Sequence, residues 1–267
     1  MSLPDNASNP LSQSGKGATN ASKTSKQSKI AIVGLATLYP DAKTPQEFWQ
    51  NLLDKRDSRS NLTNEKLGAN SSDYQGVQGQ SDRFYCNKGG YIENFQFNPA
   101  GYKLSEQSLN GLDDSFLWAL DTSRNALTDA GIDINGADLS RTGVVMGALS
   151  FPTTRSNDLF LPIYHRAVEK ALQDKLGAKA FKLNPTNAHT ARAVNESSLN
   201  AANGAIAHNS SKVVADALGL GGAQLSLDAA CARATIISRC RVAIARRMRS
   251  GRLNGVATSC PAAIVPS

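Results

Sequence analysis

Short apolar runs rich in β-branched residues alternate along this chain with stretches that repeat on a helical period. The runs are Lys29-Ile30-Ala31-Ile32-Val33-Gly34-Leu35, Thr142-Gly143-Val144-Val145-Met146-Gly147 and Gln224 to Asp228. Strands this short and apolar are buried on both faces, so helices must cover the sheet they form. The most constrained helix lies between Leu112 and Ala130. There Leu112, Phe116, Leu120 and Leu127 fall on one stripe, Asp113 and Asp114 stand in the first turn, and Gly131 stops it. Thr44-Pro45 with Glu47 predicts another helix start, whose apolar face is Phe48, Trp49, Leu52 and Leu53. Asp158 to Leu176 and Ala201 to Leu218 also read as helical, the second ending at Gly219. The predicted class is α/β, with a largely parallel or mixed sheet covered by helices.

Two segments stand outside this pattern. Residues 1–28 are Ser, Asn, Thr, Gly, Gln and Lys with almost nothing to bury, which predicts a disordered polar leader. Residues 57–103 are polar and too long for an ordinary connection, so an excursion with short structure of its own is expected.

Bulk composition narrows the classes. At 267 residues and 40% hydrophobic the chain can bury a sizeable core. No run approaches the roughly 18 apolar residues of a membrane span, and no secretory signal pattern precedes the first strand, so a cytoplasmic protein is expected. Cys86, Cys231, Cys240 and Cys260 form no CxxC pair, which argues against disulfides and structural zinc. The net charge of +7 comes entirely from one end. Residues 232–267 hold seven arginines, Arg233, Arg239, Arg241, Arg246, Arg247, Arg249 and Arg252, and no acid. Clustered arginine supplies phosphate affinity, but this tail carries no aromatic platform and no recognisable binding motif; a nucleic-acid or anionic-membrane role is the weakest of the readings.

The chemistry centres on Cys231. A strand at Gln224 to Asp228 runs through Ala229-Ala230 into the cysteine and then into a segment that can be helical. A thiol at a helix N-terminus faces unpaired backbone N–H groups and the positive end of the helix dipole, which favour the thiolate. Small neighbours permit the sharp turn and leave room for a substrate. On chemistry alone, Cys231 is either such a nucleophile or a small buried hydrophobe, as most free cysteines are.

Asp228-Ala229-Ala230-Cys231-Ala232 resembles the signature around the acyl-accepting cysteine of β-ketoacyl synthases. Lys29 to Leu35 with Phe48-Trp49-Gln50-Asn51-Leu52, Asp113 through Asp129-Ala130-Gly131-Ile132, and Thr142-Gly143-Val144 are similar to further stretches of that family in order and spacing. Ser81 to Phe95, Ser150 to Tyr164 and Phe181 to His189 resemble ketosynthase domains of bacterial polyunsaturated fatty acid synthases. The resemblance covers residues 29–232 and implies the N-terminal half of a thiolase-like fold. It also implies a ping-pong reaction. The Cys231 thiolate takes an acyl group from a carrier thioester, a malonyl carrier loses carbon dioxide, and its carbanion attacks the acyl-enzyme. Backbone N–H groups, that of Cys231 among them, would hold the oxyanion. The implied partner is an acyl carrier protein bearing phosphopantetheine, intact relatives are homodimers, and no cofactor or metal is implied.

The sequence departs from the family after the cysteine. Its two catalytic histidines follow the nucleophile, whereas His165, His189 and His208 all precede Cys231. Where a Ser-Ser-Leu-Tyr-like helix start is expected, the chain has Arg233-Ala234-Thr235-Ile236-Ile237. Residues 233–267 are therefore expected to be a divergent tail arising from a changed coding frame, with an in-frame but diverged helix as the alternative. A chain ending here is expected to be truncated, poorly stable and inactive alone. The competing function is a non-catalytic chain-length-factor-like partner, against which retention of Cys231 weighs.

Overall fold

Asp113 begins the helix on which the core is built. The computed structural model describes residues 31–67, 69–149, 152–177 and 199–228, together with the backbone of the strand 255–259. Contacts group the chain into Met1–Ile32 and Val33–Ser267; Ala31 and Ile32 are the described residues of the first unit.

Helix α1, Pro45–Leu53, starts as the sequence predicts. Thr44 Oγ1 accepts the Glu47 N–H at 3.2 Å and the Glu47 carboxylate accepts the Thr44 N–H at 3.0 Å, with proline in the first turn. The excursion that follows has short structure of its own. Strand β1, Ser60–Asn61, is followed by helix α2, Asn64–Leu67, and strand β2, Lys88–Gly89, which pairs antiparallel with β1. Helix α3, Glu106–Leu109, leads to α4, Asp114–Asp129, where the Asp113 carboxylate caps the first turn by accepting the Ser115 N–H at 3.0 Å.

The stripe predicted for α4 is buried along its whole length, with Leu112 4%, Phe116 0%, Leu120 0% and Leu127 2% exposed. Each such side chain contributes about 1.5–3 kcal/mol relative to exposure. Helix α6, Ile206–Leu218, packs on α4, and Val214 and Leu218 join the same core, to which strand β3, Gly143–Gly147, adds Val144 and Met146. Between β3 and α6 runs α5, Thr154–Leu176, capped by Thr153 and starting four residues before the predicted Asp158. A 3-10 turn at Ala201–Ala205 precedes α6, which ends where Gly219 adopts φ 70°, a left-handed conformation that glycine enters without steric cost.

The central sheet has the order β4, β3, β5, where β4 is Gln224–Leu227 and β5 is Gly255–Ser259. Both outer strands run parallel to β3, Val144 facing Gln224 and Gly143 facing Gly255 at the start of each ladder.

Two expectations are corrected here. The strand predicted at Lys29 to Leu35 is absent from its described part. Residues 31–38 hold no strand, and Ile32, Val33 and Leu35 are 79%, 70% and 57% exposed. β-branched composition supplies propensity, but a strand exists only where another edge pairs with it. No described strand pairs with residues 31–38, and the Leu35 N–H is instead bonded to the Asp129 carboxylate at 2.8 Å. The apolar face of α1 is likewise uncovered. Phe48 stacks on Tyr39 at 4.6 Å, while Trp49, Leu52 and Leu53 are exposed.

Candidate active site

The carboxyl ends of β3 and β4 lie side by side. Gly147 faces Leu227 in register, and the Ala148 N–H donates to the Leu227 carbonyl at 3.0 Å. In open α/β sheets, the loops leaving this end of parallel strands are where ligands are handled. From β3 the chain passes to Thr153, whose hydroxyl accepts the Ser156 N–H at 3.2 Å to begin α5. From β4 it passes to the exposed Asp228, three residues before Cys231 in sequence.

Cys231, with Ala229, Ala230 and the segment that follows it, lies outside the described residues. So do His189, Phe181 to His189, Cys240, Cys260 and the predicted leader at 1–28. Of the arginine-rich tail, the backbone of β5 is described. What the structure supplies at the predicted nucleophile is therefore its approach, the strand that leads to it and the elements that hold that strand.

That approach is well anchored. β4 is bonded along one edge to β3, and on the helix side Ser226 meets α6. The Ser226 hydroxyl donates to Ser211 Oγ at 2.8 Å and accepts the Ser211 backbone N–H at 3.1 Å. The start of α6 is itself tied to the rest of the core through Asn203. Its side-chain oxygen accepts the Asp113 N–H at 2.9 Å, and its nitrogen donates to the Gly111 carbonyl at 2.7 Å. The contact between Ser211 and Ser226 was not apparent in the sequence. The signal it left is a hydroxyl between Leu225 and Leu227 in a strand otherwise read as apolar.

The remaining titratable candidates lie elsewhere. His165 is half-buried on α5 and His208 is exposed on α6, while Cys86 is a free, exposed thiol in the excursion. Among the described residues no cluster of three or more His, Cys, Asp or Glu side chains is placed to hold a metal, and no helix is long and apolar enough to cross a membrane.

Comparison with known proteins gives a consistent result. The profile of the Beta-ketoacyl synthase, N-terminal domain, matches residues 27–253, a span that includes Cys231 and continues into the arginine-rich stretch. A polyunsaturated fatty acid synthase polypeptide of Thraustochytrium sp. is 28% identical over 213 residues, which are 80% of this chain and 9% of that protein. The Polyketide synthase ThaG of Burkholderia thailandensis is 30% identical over 134 residues, 49% of this chain and 2% of that one. The solved structure of the PfaC Keto synthase-Chain length factor superposes with a TM-score of 0.62 at 34% identity, covering 86% of this chain and 24% of that one. The ketosynthase from module 6 of the bacillaene synthase of Bacillus subtilis 168 shares the fold, with a TM-score of 0.53 at 17% identity over 87% of this chain and 32% of its own. The chain thus spans a minor part of each of these relatives.

Proposed function

This chain belongs to the β-ketoacyl synthase family and has its thiolase-like fold, as a ketosynthase-family domain of the kind found in polyunsaturated fatty acid and polyketide synthases, and from that premise we propose that Cys231 is its acyl-accepting nucleophile. The observation that carries the proposal is the strand β4. It pairs in parallel with β3 as far as Leu227, and in sequence it is followed by Asp228-Ala229-Ala230-Cys231. In the family that the Asp228-Ala229-Ala230-Cys231-Ala232 motif resembles, backbone N–H groups beside the cysteine favour its ionisation and hold the oxyanion, and the proposal assigns the same role to Cys231.

In the reaction, the Cys231 thiolate attacks the carbonyl of an acyl thioester carried on an acyl carrier protein. The carrier's phosphopantetheine thiol leaves with a proton, and the acyl group remains on the enzyme. Decarboxylation of a malonyl carrier then supplies a carbanion that attacks the acyl-enzyme and releases the Cys231 thiolate. The test is intact-mass analysis after incubation with an acyl-pantetheine thioester. One acyl group is expected on the full chain and none on Cys231→Ser; acylation of both alike, or of neither, overturns the proposal.

A second reading has one observation in its favour, since the solved relative at 34% identity is a ketosynthase joined to a chain length factor. In that reading the chain shapes product length beside a competent ketosynthase and takes up no acyl group, so the same experiment separates the two. For residues 233–267, the family match to residue 253 and the parallel pairing of β5 on β3 support an in-frame continuation rather than a changed frame. Sequencing the coding DNA for a Ser-Ser-(Leu/Val)-Tyr-like continuation in another frame decides between them.

A further inference from the structure

We draw no further inference here: the strongest candidate, the surface patch that Phe160, Ile163, Tyr164 and Val168 form along helix α5, is an apolar face left exposed among the described residues, and nothing in the structure shows what covers it.

Discussion

Asn203 clamps Asp113. Its side-chain oxygen accepts the Asp113 backbone N–H at 2.9 Å, and its nitrogen donates to Gly111 two residues earlier at 2.7 Å. Both Asn203 and Asp113 are buried, at 2% and 5% exposure. The contact joins the start of α4 to the turn before α6, two elements about 90 residues apart in sequence. Asn203→Ala leaves two backbone groups without their partner and is expected to destabilise by about 2–4 kcal/mol. Asn203→Asp keeps an acceptor for Asp113 but loses the donor to Gly111, so it should not rescue. Chemical denaturation of the three proteins checks this ranking.

The uncovered face of α1 and the buried face of α6 make opposite predictions for the same substitution. Leu218→Ala removes a side chain with 0% exposure and should cost about 2–5 kcal/mol, whereas Leu53 is 58% exposed and Leu53→Ala should stay within about 0.5 kcal/mol. Paired urea midpoints measure the difference. A large loss at Leu53 would mean that something covers α1 in solution.

Gly34 lies against the end of α4. A Cβ there would run into the Ala126 carbonyl oxygen and come within 2.8 Å of the Ala130 Cβ. Gly34→Ala should therefore lift the segment off the helix and break the Leu35 N–H bond to Asp129, destabilising by about 1–3 kcal/mol. Hydrogen exchange at the Leu35 amide should accelerate in the variant and also in Asp129→Ala.

Asp57 predicts a pH effect of known sign. The Arg59 guanidinium grips its carboxylate with two side-chain hydrogen bonds at 2.8 and 2.9 Å, and these, followed by the Arg59 backbone N–H, lower its pKa from 3.8 to about 2. A carboxyl that ionises more readily in the folded state contributes stability above its unfolded pKa, and that contribution is lost as pH falls from about 3.8 toward 2. The pair is exposed, so its effect is small and weakened by salt. In Arg59→Ala the Asp57 midpoint, read by carboxyl NMR, should rise back toward 3.8.

Much of the architecture was legible before any coordinates. The four-residue stripe of α4, the capping box at Thr44 and Glu47, the glycine stop at Gly219 and the strands around Val144 and Leu225 all follow from local rules. Helical period, cap chemistry and backbone freedom act over a few residues, and those residues are adjacent in sequence. The family resemblance likewise rested on short ordered motifs.

The rest depended on partners distant along the chain. The segment ending at Leu35 has every local property of a buried strand, yet Ile32, Val33 and Leu35 are exposed and no described strand pairs with it, because pairing depends on partners elsewhere in the chain. Trp49, Leu52 and Leu53 have the period of a buried face, yet among the described residues nothing covers them. The pair of Ser211 and Ser226 exists only because α6 and β4 meet, bringing residues 211 and 226 within hydrogen-bonding distance. The class of fold and the candidate thiol are readable from the residues alone, because they follow from interactions whose range is one or two turns. Which apolar runs are covered, and what holds the strand that precedes Cys231 in sequence, emerge in the folded chain, since burial and pairing belong to surfaces that only its assembly creates.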